Sequence, residues 1–171
     1  PAWSPDAKQI AYVTRRGGEP DRHSNVDIYL VEPRAGATER RLTTFDGADN
    51  DPDLGSPISW SPDGRQIAFV QGGEDKWIYY APHQLAIVDV ATGRTRVPAL
   101  IDRWFTQPRW SPDGRSVLAL IEQSRVINLS RIEVASGKVT PLTTGPRYDA
   151  GFTVSKQGRI VVLGGDDVMP Y

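Results

Sequence analysis

The chain has 171 residues, 20 Lys and Arg against 21 Asp and Glu, a formal charge of -1 and no cysteine. That length fits one domain with a real core, and the near-neutral balance excludes a global basic field that would draw it to nucleic acid or anionic lipid. The missing cysteine excludes disulfides, a thiolate nucleophile and a Cys-rich zinc site, and the apolar runs at 117–121 and 160–163 fall far short of the ~18 residues of a membrane span.

The chain opens on PAWSPDAKQIAYVTRR. Pro5 presets φ for a type I turn, Ser4 and Asp6 can bond nearby amides, and the next position wants a left-handed residue. Ala7 there costs about 1 kcal/mol if it is left-handed. A strand follows, then a polar connection, then a strand in DIYLVE, a turn at Gly36 and a fourth strand ending in Leu42-Thr43-Thr44. Each repeat reads as a four-stranded meander.

Next comes FDGADNDPDLG, where Asp49, Asp51 and Asp53 have the alternate spacing that starts a calcium loop. The match then fails, because Gly55 falls one place late and Trp60 stands where a bidentate Glu is needed. The run, with Asp46, reads as a solvated loop. ISWSPDGRQIAFVQGG restates the turn and strand at Trp60, followed by the aromatic connection EDKWIYYAPHQ, a strand over 85–90, a turn at Gly93 and a strand over 95–99.

PRWSPDGRSVLALIEQ brings the third copy at Trp110, with Gly137 in its later turn and Leu142-Thr143-Thr144 closing it. In FTVSKQGRIVVLGG the fourth copy has Val154 for the Trp and Lys156-Gln157 for Pro-Asp, so it is expected to be the least regular. The spacings 57, 50 and 44, from Trp3 to Trp60, Trp110 and Val154, vary through the connections. The expected fold is all-β: a partial β-propeller of about three to four four-stranded antiparallel blades, because radial stacking covers both faces of each sheet. Residues 1–171 then form one propeller segment, with repeats starting near 1, 58, 108 and 152 and inner strands beginning at or just before Trp3, Trp60, Trp110 and Val154. Opening inside a repeat, it reads as a fragment of a larger propeller.

The repeated WSPDG turn, with RLTTFDGADNDP and PLTTGPRYDAGFTVS, resembles the WD-like repeats of two settings. One is the amino-terminal propeller of the prolyl oligopeptidase family of serine peptidases, especially its acylaminoacyl-peptidase-like branch. The other is the periplasmic TolB propeller. The terminal run ending in Pro170-Tyr171 and the long connection over 70–89 favour the peptidase setting. That resemblance implies a propeller that gates peptide access to a separate α/β-hydrolase domain outside this chain. The alternative is a TolB-like periplasmic interaction propeller without enzymatic activity. The implied partners are the hydrolase domain and remaining blades of the same polypeptide and short peptide substrates. Nucleic acid, membrane, cofactor and metal are not implied, self-association stays open, and the cytoplasm is expected ahead of the periplasm or secretion.

No catalytic residue is expected in this chain. It lacks a Gly-x-Ser-x-Gly elbow, and its two histidines, His23 and His83, have no nucleophile context. Ser4, Ser61 and Ser111 serve their turns, and the Asn128-Leu129-Ser130 sequon lies in a strand-like run. Trp77, Tyr79 and Tyr80 suit an aromatic rim or packing between blades. Arg15, Arg16, Arg22, Arg103 and Arg109 are expected on one face with the second-to-third and fourth-to-first connections, which in the resembling family would meet the catalytic domain. Of these Arg103 is the favoured contact for a peptide carboxylate, with Arg22, Tyr80 and His83 behind it.

Overall fold

A computed structural model of the chain describes residues 1–16, 25–77 and 80–166. The first sheet runs β1 (Ala2–Trp3), β2 (Ile10–Thr14), β3 (Asp27–Val31) and β4 (Arg40–Arg41), antiparallel and in chain order. In the second, β5 (Gly47–Asp49) and β6 (Ser59–Trp60) share one edge of β7 (Gln66–Glu74), followed by β8 (Gln84–Asp89) and β9 (Thr95–Arg96). The third comprises β10 (Trp104–Trp110), β11 (Ser116–Gln123), β12 (Val126–Glu133) and β13 (Val139–Pro141). A hairpin of β14 (Tyr148–Val154) and β15 (Ile160–Gly165) follows, touching β12 at the single parallel register point Ile127 to Tyr148. The chain is a β-propeller segment: three full blades and the first two strands of a fourth.

The turn sequence explains the hairpins. Ser61 Oγ donates to Asp63 Oδ1 at 2.6 Å and accepts from Gln66 N at 2.9 Å, while Asp63 Oδ1 accepts from Arg65 N at 3.1 Å. Ser4 with Asp6 and Ser111 with Asp113 repeat the pattern. The serine hydroxyl, then the amide, holds each of these carboxyls below its ordinary range. Successive turns stack, since Gly64 and Gly114, at φ 70° and 67°, face Pro5 and Pro62 of the preceding turn. Ala7 does adopt the left-handed form, at φ 58°.

Alternation along the strands makes the core. Ile67, Phe69, Ala86 and Val88 of the second blade pack on Ala11, Ile28 and Leu30 of the first. Ala68, Leu85 and Ile87, one residue out of phase, pack on Val117, Ala119 and Ile132 of the third. Both faces of the middle sheet are therefore apolar, as a sandwiched sheet requires. Phe152, Val154, Ile160 and Val162 cover Leu118, Leu120 and Leu129.

The sheets fan out from an axis. Their first strands touch directly: Trp60 Nε1 donates to Ala2 O at 3.1 Å, Trp110 N to Ser59 Oγ at 3.2 Å and Gln107 Nε2 to Ala150 O at 3.2 Å. Outer strands reach the next blade through long side chains, Arg40 Nη2 to Val90 O at 2.6 Å and Arg96 Nη1 to Val134 O at 2.9 Å. The inner strands start well upstream of the tryptophans, at Gly47, Trp104 and Tyr148. They continue past a bulge, where Gln107 takes φ 52°, which sequence alternation alone does not reveal.

Candidate binding site on the connection face

The turns and the β3–β4, β8–β9 and β12–β13 links lie at one end of the blades. At the other lie the second-to-third-strand links and the passages between blades. There His83, just before β8, packs its ring on Trp104 at the start of β10, with centroids 4.2 Å apart and planes at 44°. His83 O accepts from Phe105 N at 2.9 Å. Burial pushes the imidazole below its ordinary pKa, and the charge of Asp51 partly offsets this. That shift favours the neutral ring, and its Nδ1 is buried without a hydrogen-bond partner among the described residues.

Gln84 clamps the passage from β9 to β10. Its Nε2 donates to Ile101 O at 2.9 Å and Arg103 O at 3.1 Å, and its Oε1 accepts from Ile101 N at 3.3 Å. Arg103 is thereby fixed at its backbone, while its guanidinium bonds Asp102 O and pairs with Asp102 Oδ2 only at 3.9 Å. The Asp102 side chain is 94% exposed, so this pair is weak and a better-aligned carboxylate can displace it. Nothing in the sequence marks Gln84, a buried amide whose partners are all backbone.

Tyr80 stands in solvent at 89% exposure, as does Leu100 at 82%. Trp77 carries Lys76 Nζ 5.5 Å from its ring centre, and Lys76 pairs with Glu74 at 2.6 Å. Arg22, His23 and Tyr79 lie outside the described residues, as do Pro170 and Tyr171. Arg16 pairs with Glu39 at 2.8 Å and lies over Tyr29. Arg109 corrects the expectation that it shares this face: it lies in β10 opposite Leu118, beside Trp110 at the turn end, because the inner strand is longer than the sequence suggested.

Asp49 is a second correction. It is fully buried, accepts from Gln71 Nε2 at 2.9 Å, and its Oδ2 has no partner of full hydrogen-bond geometry among the described residues. Burial pushes its pKa up to about 6. Gln71, the Thr43 hydroxyl and the Phe45 amide pull it down and the charge of Asp27 adds to the rise. The neighbouring Asp51 and Asp53 do form a surface turn, Asp51 Oδ1 accepting from Asp53 N at 2.9 Å.

A concavity of about 920 Å³ between the first two turns, at the opposite end, is lined by Pro5, Trp60, Pro62, Glu32 and Arg34. The turn carboxylates Asp6 and Asp63 beside it are committed to their own serines and amides. The connection face is the better site on chemistry: a stacked His–Trp pair, a clamped arginine and exposed aromatic side chains.

Residues 1–167 match the family model described as the TolB beta propeller domain. Dipeptidyl-peptidase 5 of Porphyromonas gingivalis is 31% identical over 156 residues, 90% of this chain and 22% of that protein. The Tol-Pal system protein TolB of Francisella tularensis subsp. mediasiatica is 26% identical over 204 residues, covering 94% of this chain and 44% of TolB. The β-propeller domain of the trilobed protease from Pyrococcus furiosus superposes with a TM-score of 0.71 at 18% identity, over 99% of this chain and 48% of that one. The chain thus spans about a fifth of the first relative and under half of the second.

Proposed function

The chain belongs to the TolB beta propeller domain family, and from that premise we propose that it is the propeller part of a serine peptidase, gating peptide access to an α/β-hydrolase domain of the same polypeptide. The observation that carries this reading is the connection-face cluster, in which Gln84 fixes Arg103 beside the stacked His83 and Trp104. The similarity to a dipeptidyl-peptidase over 90% of this chain but 22% of that protein supports it, since such a relative has room for a separate catalytic part. In this role the blades exclude bulk water and large polypeptides from the hydrolase site, and the clamped arginine takes a substrate carboxylate in fork geometry.

The test is Arg103→Ala in the full-length protein, assayed on matched peptides with free and blocked carboxyl termini. Losing a charge-assisted hydrogen bond of roughly 1.5–3 kcal/mol lowers kcat/KM about 10- to 100-fold on the free peptide alone. Equal loss on both peptides removes the carboxylate role. If the full-length protein hydrolyses no peptide and instead binds envelope proteins, the TolB-like reading replaces this one.

A further inference from the structure

The third strands carry a polar residue at one matched position, and the three blades use it differently. The pairs Leu30–Arg40 and Ile87–Arg96 align Asp27 with Gln84, three residues upstream. Leu42 N donates to Ile28 O and Leu142 N to Leu129 O, each at 2.8 Å, which aligns Asp27 with Asn128. Asp27 pairs with Arg41 at 2.7 Å, and Gln84 clamps the backbone at Ile101 and Arg103. Asn128 does neither: its Nδ2 is buried and has no hydrogen-bond partner among the described residues.

Beside Asn128 lies a cavity of about 330 Å³. Its floor is one face of the third sheet, since Ile121 stands opposite Asn128 and Ser130 opposite Pro141. That face turns to the second blade, where Ala119, Ile121 and Ile132 pack with Ala68 and Ile87. Ile101 walls the cavity from the passage into the third blade, and Thr143 and Thr144 wall it from the passage out. At the connection end β11 and β12 join through Ser124 and Arg125 alone, at φ 52° and 71°, where the first two blades have links over 15–26 and 75–83. No long link of the third blade overhangs the cavity, which opens on the connection face.

Ile101, Ile121, Val126, Val139 and Pro141 make the lining largely aliphatic, and no charged side chain belongs to it. A charged ligand would lose its hydration there with nothing to replace it, whereas an aliphatic one gains by burial. The Asn128 amide, with Ser130 next to it on the floor, calls for an acceptor beside the aliphatic part. The volume lies near the lower end of the ~300–1,000 Å³ of ligand pockets, which suits a single amino-acid residue. We propose that this cavity binds one uncharged aliphatic residue of a peptide. Its side chain lies against Ile101, Ile121 and Val139, and its carbonyl draws the Asn128 amide into the bond that Asp27 and Gln84 already make elsewhere. The site goes beyond the peptidase reading and does not require it, because it is defined by binding rather than turnover.

The test is calorimetric titration of the full-length protein with N-acetyl-leucine methylamide. A ligand of this size is expected to saturate the site with a Kd of about 1 mM. N-acetyl-aspartate methylamide has nearly the same shape and carries a charge, so it should bind at least about tenfold more weakly. Asn128→Leu keeps the outline of the side chain and removes the amide; it should weaken the leucine compound about two- to tenfold, the effect of one neutral hydrogen bond. Ser130→Leu fills the cavity and should weaken it at least about tenfold. If that variant does not fold, Thr144→Trp, which blocks the mouth from the exposed passage, takes its place. No binding by the parent, or equal affinity for the two compounds, overturns the proposal. Leucine binding that both variants leave unchanged also overturns it, by assigning the ligand to another site. A loss in Ser130→Leu with none in Asn128→Leu overturns the carbonyl contact. Failure of the same protein to hydrolyse any peptide would sink the peptidase reading and leave this titration as it stands.

Discussion

The passages between blades solve one packing problem in two ways. From the first blade to the second, and from the third to the fourth, a threonine and an aspartate six residues apart, Thr43 with Asp49 and Thr143 with Asp149, occupy the junction. Their hydroxyls accept from the third-strand amides of Ile28 at 3.0 Å and Leu129 at 2.9 Å, and Asp149 Oδ2 also accepts from Leu129 N at 3.1 Å. From the second blade to the third, the same spacing carries Ala99 and Phe105, both buried among Ala68, Ile87 and Ile121. There the backbone tie passes to Gln84. The junction therefore requires a filled interior and a tether for the passing strand, and the two can be supplied by one polar pair or by separate residues.

The apolar junction should be the more costly to damage. Phe105→Ala empties a fully buried ring site and is expected to destabilise by about 3–5 kcal/mol in denaturant unfolding. Phe105→Asp alone buries a charge without its hydroxyl partner and costs at least as much, while adding Ala99→Thr recovers part of that loss. Absence of any recovery would break the equivalence of the three junctions.

The two polar junctions should answer one substitution with opposite signs. Asp149 is bonded by Arg147 Nε at 2.7 Å and by the Thr143 hydroxyl, so Asp149→Asn strips a charge from a satisfied group and is expected to destabilise at pH 7 by about 1.5–3 kcal/mol. Asp49 has a neutral amide in place of that arginine, and Asp27, itself paired with Arg41 at 2.7 Å, faces it with like charge. Its pKa of about 6 lies above the ordinary 3.8, so the folded state binds the proton more tightly than the unfolded one. The stabilisation this gives is complete below pH 3.8 and is lost as the pH rises through about 6. At pH 7.5 Asp49→Asn should be more stable than the parent, by an amount on the order of 2 kcal/mol, and its stability should no longer fall between pH 4.5 and 7. Urea midpoints across that range read both effects; a fall that persists in the variant would assign it to another group.

The sequence makes much of this legible. Ser-Pro-Asp, followed by Gly in two copies and by Ala7 in the first, marks three hairpins because each of its residues has a separate task in the turn, and strand alternation marks the faces that become core. The repeated Leu-Thr-Thr is visible at the end of two outer strands. What hides Asp49 is its neighbourhood: Asp46, Asp51 and Asp53 look like a solvated run, and only the six-residue spacing from Thr43, shared with Thr143 and Asp149, separates it from them. Arg109 misleads because a bulge lets the inner strand continue upstream, so a residue that looks like part of a connection is a strand residue. At the candidate site, the meeting of His83 with Trp104 joins residues from different blades, and no local pattern carries that information.

The smallest expected effects lie at the outer rim. Arg40 and Arg96 stand at matching positions of β4 and β9, paired across the strands with Leu30 and Ile87, and each donates to a carbonyl of the next blade, Val90 or Val134. Both arginines are exposed, so each clasp should contribute about 0.5–1 kcal/mol, with the partner carbonyl returning to water when the side chain is removed. Arg40→Ala and Arg96→Ala should therefore lower the urea midpoint slightly and additively, since they clasp different junctions. The ion pair of Arg16 with Glu39 on the first blade supplies a control. It joins two charges and should weaken as salt is raised over a Debye length shorter than about 10 Å, whereas a clasp onto a neutral carbonyl should keep most of its effect. If the loss in Arg40→Ala disappears in 1 M salt as fully as that in Arg16→Ala, the rim is held by general charge balance rather than by these bonds, and the contrast between a polar-latched interior and a hydrogen-bonded rim fails at its outer edge.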